Sequence, residues 1–126
     1  MSKFTKVVRR KYPRIDRQLP LKVVANGYDF VTATQNVSCV GVYCQINKYV
    51  PPFTRVTVKL TLPIFISNGN KNCKVECKGV VVRTEDKDKN NFNVAIFFNE
   101  IKGEQRKIIS QYINQFLPKK SFSLKR

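Results

Sequence analysis

The sequence contains no histidine, no tryptophan and a single methionine, and only 8 of its 126 residues are acidic. Without histidine it lacks the usual proton shuttle near neutral pH and the commonest metal ligand. The few carboxylates are scattered over turns and one charged stretch, Glu85-Asp86-Lys87-Asp88, with no pair placed to share a substrate. Ser38 has no evident general base and does not read as a nucleophile. A protein without catalytic activity is therefore expected. Long apolar runs are missing as well: none reaches the roughly 18 residues of a membrane span, and the N-terminus lacks the apolar centre of a secretory signal. A cytoplasmic location without membrane insertion is the default. The four cysteines, Cys39, Cys44, Cys73 and Cys77, have the count for a zinc site of four thiolates, but the spacings Cys39-x4-Cys44 and Cys73-x3-Cys77 are not the two-residue knuckles that structural zinc favours. A chain with a core of its own needs no disulfide staples either, so they read as reduced, buried small hydrophobes, and no metal or other cofactor is expected.

What the chain has in excess is positive charge. There are 24 Lys and Arg against the 8 acids, a net charge of +16. At physiological salt such a field reaches over a Debye length of about 8 Å and attracts polyanions: a nucleotide, RNA, an acidic protein or a lipid surface. Charge alone does not choose among them. A hydrophobic content of 42%, with 9 Phe and 5 Tyr, supplies a core for one domain at this length.

Three regions follow from the order of the residues. Residues 1–18 read as a basic arm, too polar to bury itself, and 19–118 as the folded body. Residues 119–126 read as a short basic tail. Within the body, Asn26-Gly27 is a two-residue hairpin signal between strands at 21–25 and 29–34. Residues 35–40 read as a connection into a short strand over 41–46, which Pro51-Pro52 closes off. Residues 54–62 alternate, with Val56, Val58, Leu60 and Leu62 on one face of a half-buried strand. Asn68-Gly69-Asn70 makes a turn. The longest strand runs over 74–84, with Gly79 marking a bulge or bend, and an exposed tip at 85–91 leads into a last strand over 92–98. Strands spaced in this way favour a small closed barrel, which leaves no exposed edge. Ile108, Ile109, Tyr112, Ile113 and Phe116 then recur at helical spacing, predicting an amphipathic helix over 104–117 that covers a mouth or side of the barrel and ends at Pro118.

Two short patterns carry the functional signal. In the arm, Arg10 and Arg14 lie four apart, with Pro13 holding the backbone out of a helix and Tyr12 available to pack or stack. A guanidinium donates two parallel hydrogen bonds to a phosphate or to O6 and N7 of guanine. Further on, Asn36-Val37-Ser38-Cys39-Val40-Gly41 forms a small polar turn. Asn36 offers a carbonyl that accepts from guanine N1 or N2, and Ser38 falls on the same side if the segment is extended. Gly41 lets the backbone pass close to a ligand. The plain alternative is a solvated tail and a loop whose side chains bond their own backbone.

Arg10-x-x-x-Arg14 followed by Asn36-x-Ser38-x-x-Gly41 resembles the RxxxR and (D/N)xSxxG pair of the PilZ domain family, and the second motif is the more specific. The similarity extends through the strand around Gly79-Val80-Val81-Val82-Arg83, the strand Val94-Ala95-Ile96-Phe97-Phe98 and the closing helix. It implies a mainly β fold, a six-stranded antiparallel split barrel with a C-terminal α-helix. It also implies binding of the bacterial second messenger cyclic di-GMP by Arg10, Arg14, Asn36, Ser38 and Gly41. Arg9, just ahead of the motif, implies a stacked pair of ligand molecules, with an ordinary solvated arginine as the other reading. Asn36 in place of the commoner Asp substitutes a weaker acceptor that costs less to bury beside a dianion. The expected behaviour is that of a non-catalytic effector whose arm closes on the ligand and passes the signal to an unidentified protein, with no DNA partner. A basic RNA-binding barrel and a PilZ-fold adaptor that binds protein and no nucleotide are the alternatives.

Overall fold

The computed structural model describes residues 12–117. Six strands come first: β1 (Pro20–Ala25), β2 (Tyr28–Ser38), β3 (Gly41–Ile46), β4 (Arg55–Ile66), β5 (Gly69–Asp88) and β6 (Asn91–Glu100). Helix α1 (Gly103–Asn114) follows. Each strand pairs antiparallel with its neighbours in the order β1-β2-β3-β6-β5-β4, and β4 returns to β1, so the sheet closes into the expected barrel.

The alternation in the sequence sets which side chains fill that barrel. Val56, Val58, Leu60 and Leu62 of β4 all point inward, and they meet Leu21 and Val23 of β1, Val42 and Cys44 of β3, Val75 and Val81 of β5, and Val94, Ile96 and Phe98 of β6. Cys39, Cys44 and Cys77 belong to this core, whereas Cys73 is half-buried; all four are free thiols. Asn26 and Gly27 both take positive φ, 51° and 81°, the twist that a two-residue hairpin needs. A Cβ on Gly79 would stand 2.7 Å from Ile96 Cγ2. The β5–β6 register does shift beside this glycine, between Lys78 and Val80, but Lys78 faces Glu100 and Val80 faces Phe97, so the extra residue of the irregularity lies on β6 and not at Gly79.

Most strands outlast their apolar pattern, because ladder hydrogen bonds come from the backbone and continue through polar residues. The turn expected at 68–70 is Ser67–Asn68, with Gly69 already in β5. The charged stretch read as a tip is strand as far as Asp88, and only Lys89–Asn90 turn. Helix α1 stops at Asn114, where Gln115 N–H bonds back to Tyr112 O, rather than running to Leu117. Its buried face is Ile109, Tyr112 and Ile113, laid against the barrel as the spacing foretold.

The described part of the arm is docked rather than free. Ile15 and Val37 exchange two backbone hydrogen bonds of 3.0 Å each. Leu19 is buried, and its N–H donates to Thr34 Oγ1 at 2.9 Å while its carbonyl accepts from Thr34 N–H. The Thr34 hydroxyl itself donates to the Arg17 carbonyl. One buried threonine thus ties down both ends of residues 17–19. Tyr12, read as available to pack or stack, packs half-buried against the core.

Candidate ligand-binding cleft

Asn36 reaches the surface through a bulge. Thr34 points into the barrel, and simple alternation would send Asn36 the same way. The β2–β3 register shifts between these two residues, Thr34 facing Cys44 but Asn36 facing Tyr43, so Gln35 is an extra residue that reverses the parity. Val37 then points inward, fully buried, and Asn36 outward. A second bulge lies on β5, where Val81 faces Ile96 and Arg83 faces Ala95, leaving Val82 unpaired between them. Val82 and Arg83 are therefore both exposed although they are consecutive.

The pairings line up across four strands. Asn36 on β2 faces Tyr43 on β3, Tyr43 faces Ala95 on β6, and Ala95 faces Arg83 on β5. Beside that row, Ser38 faces Gly41 and Gly41 faces Phe97. The small residues Gly41 and Ala95 each oppose an aromatic ring, and a cleft of about 190 Å³ opens over them on the outer face of the barrel. Arg14 lines its rim, held there because its neighbour Ile15 is bridged to Val37. The fold thus brings Arg14 of the arm to the same cleft as Asn36 and Gly41 of the later motif.

Ser38 lies next to the cleft but is not among the residues that line it. It is only 2% exposed, and its hydroxyl accepts from Val40 N–H at 3.1 Å, which fixes the two-residue turn Cys39–Val40 between β2 and β3. The motif is thus the end of a strand plus a tight turn, not an open loop. Gly41 also has a second reason to be glycine: a Cβ there would collide with the carbonyl oxygen of Ile96 on β6. Arg9 and Arg10 lie outside the described residues.

Alternation in the sequence did not single out Tyr43, Val82, Arg83 and Phe97 as cleft residues. Tyr43 O–H donates to Glu85 Oε1 at 2.8 Å, and the carboxylate pushes the phenol above its ordinary pKa. Arg83 Nε donates to the other oxygen of Glu85 at 2.9 Å, and its guanidinium stands 5.8 Å from the Tyr43 ring. One carboxylate therefore orients both a ring and a cation at the cleft. With guanidinium groups at two sides, an aromatic wall and an amide, the cleft offers a planar, anionic ligand stacking area, forked donors and one neutral acceptor. Its volume is below the range of about 300–1,000 Å³ that encloses a whole small molecule, so it seats one ring system with the remainder across the surface.

A family model of the PilZ domain matches residues 8–115. No curated protein matches the sequence. Among solved structures, the Bacillus subtilis inhibitor of motility (MotI/DgrA) superposes with a TM-score of 0.72 at 16% identity, covering 95% of this chain. The chain spans 55% of the length of that protein. The PilZ domain of YcgR from Escherichia coli, solved with c-di-GMP, superposes with a TM-score of 0.58 at 13% identity over 86% of this chain and 91% of that one. Identities this low establish a shared fold. The family match runs from the arm through all six strands and into helix α1, and on that ground the chain belongs to the PilZ domain family.

Proposed function

We propose that this protein is a non-catalytic receptor for cyclic di-GMP. The observation that carries the reading is the meeting of Arg14, Asn36 and Gly41 at one cleft. A guanine laid over Gly41 and Ala95 has Tyr43 beside it for stacking, and the Asn36 amide faces its edge. Arg14 and Arg10 grip phosphate or the O6 and N7 edge from the arm, and Arg9 supplies the charge that a stacked second molecule needs. Ser38 serves by holding the turn that positions Gly41. Because Ile15 is already anchored, closure on the ligand belongs to the residues ahead of Arg14, and the changed surface is what a downstream protein reads. Supporting this reading are the family membership and the fold shared with a c-di-GMP-bound PilZ domain.

Calorimetric titration with cyclic di-GMP, GTP, cyclic di-AMP and an RNA oligomer tests it. Saturable binding of cyclic di-GMP alone is expected, weakened at least tenfold in Arg14→Ala through loss of a charge-assisted pair worth about 1.5–3 kcal/mol. A stoichiometry of two ligands falling to one in Arg9→Leu identifies the stacked pair. RNA binding with a steep salt slope and no guanine preference would replace the proposal with the RNA-binding alternative.

A further inference from the structure

Closing the barrel still leaves part of one strand open. The pairing of β5 with β6 begins at Lys78 opposite Glu100, so among the described residues 69–77 of β5 pair with β4 alone. Glu76 N–H shows what this means chemically. It points away from β4 and donates to the side-chain carbonyl of Gln105 on α1 at 2.9 Å. A side-chain amide thus stands where the carbonyl of a neighbouring strand would be. In an antiparallel ladder the backbone groups of residues i and i+2 point the same way, so Lys74 offers its N–H and C=O along the same edge. Alongside runs a groove of about 760 Å³ bounded by this edge, by Glu100, Ile101 and Lys102 of the β6–α1 connection, and by Gln105. It is four times as large as the cleft described above.

We infer that this groove is a second binding surface, which takes an extended acidic peptide segment of a partner protein as an added strand on the open edge of β5. The edge supplies main-chain hydrogen bonds to any extended chain, and the side chains around it select among them. Lys74, Lys78 and Lys102 line the groove against Glu76 and Glu100, and Glu100 already sits opposite Lys78 in the native ladder. The next outward cation along the edge, Lys74, has no strand residue opposite it on that side, and a carboxylate at the matching position of an incoming strand completes the series. Apolar side chains on the alternate positions of that strand turn toward Ile101 and Cys77. A second copy of this chain is a poor occupant, because each brings a net charge of +16. The surface is separate from the proposed nucleotide cleft and does not depend on it.

The test uses the full chain and a short capped peptide, Thr-Val-Glu-Val-Glu-Thr, with a version carrying lysine for glutamate as control. Titration followed by amide NMR is expected to show saturable binding of the acidic peptide, with the largest shifts at Lys74, Glu76 and the Gln105 side-chain amide. Gln105→Ala removes the competing acceptor and tightens binding by about threefold, whereas Glu76→Pro removes the donor without touching the β4 ladder and weakens it about tenfold. Lys74→Glu, which leaves the backbone alone, shifts the preference toward the lysine peptide. Absence of binding, shifts spread over the whole basic surface, equal binding by Glu76→Pro and wild type, or edge-to-edge dimers by sedimentation would each overturn the inference.

Discussion

Thr34 shows how much one hydroxyl holds in this protein. It accepts from the buried Leu19 N–H and donates to the Arg17 carbonyl from a fully buried position. Thr34→Val keeps the shape and leaves the Leu19 amide without a partner, so urea unfolding is expected to show a loss of about 1–3 kcal/mol. Gly41 is constrained by the strand next to it rather than by its own backbone. Gly41→Ala forces β3 away from the Ile96 carbonyl, with an expected cost of about 1–3 kcal/mol in the same measurement. A Gly41→Ala protein as stable as wild type would mean that the neighbouring strand yields freely. Neither constraint was visible in advance. The sequence marked Gly41 as special for its approach to a ligand, and Thr34 only as the last residue of a strand.

At the scale of elements, the arm and the helix are joined. The Arg17 guanidinium lies 4.0 Å from the centroid of the Phe116 ring, and Phe116 stacks edge-on against Tyr112 at 5.0 Å. Residues anchored to β2 on one side are thereby also held by the turn that follows α1. Replacing the cation in Arg17→Gln removes an exposed cation–π contact of about 0.5–1 kcal/mol, and hydrogen exchange at the Ile15 and Leu19 amides is expected to quicken by about 2–5-fold. Unchanged exchange would show that the two backbone bonds to Val37 and the threonine suffice. The bulges at Gln35 and Val82 belong to this scale too. Neither carries a glycine or proline to announce it, and each inserts one residue that has no partner on the neighbouring strand and so turns the side chains beyond it to the opposite face.

For the whole molecule, the closed barrel sets a pH limit. Burial pushes the Cys44 thiol up to about 12, and burial with the nearby Glu76 carboxylate does the same for Cys77. These groups keep their protons in the folded state where an unfolded chain releases them near the ordinary value of 9.0. The stability contributed by keeping these thiols protonated is therefore fully present below about pH 9 and is lost as pH rises toward 12, at up to about 1.4 kcal/mol per pH unit for Cys44 alone. Urea midpoints at pH 7, 9 and 10.5 measure the fall. The double variant Cys44→Ala, Cys77→Ala should start lower, from lost packing, and decline less steeply.

The sequence by itself determined the barrel and the helix, since period-two and helical alternation state which side chains leave water and a paired chain must satisfy its backbone while burying them. Val56 through Leu62, the Asn26-Gly27 turn and the Ile109–Ile113 face are all as the pattern dictates. It also named three residues, Arg14, Asn36 and Gly41, that the fold brings to one cleft. Only the tertiary structure decided which way Asn36 points, that Ser38 is buried at the end of β2, and that Tyr43, Arg83 and Glu85 stand beside them. The direction of Asn36 and the places of Tyr43, Arg83 and Glu85 depend on bulges and on register across β2, β3, β6 and β5, and register is fixed by the sum of contacts across the closed sheet rather than by any stretch of residues.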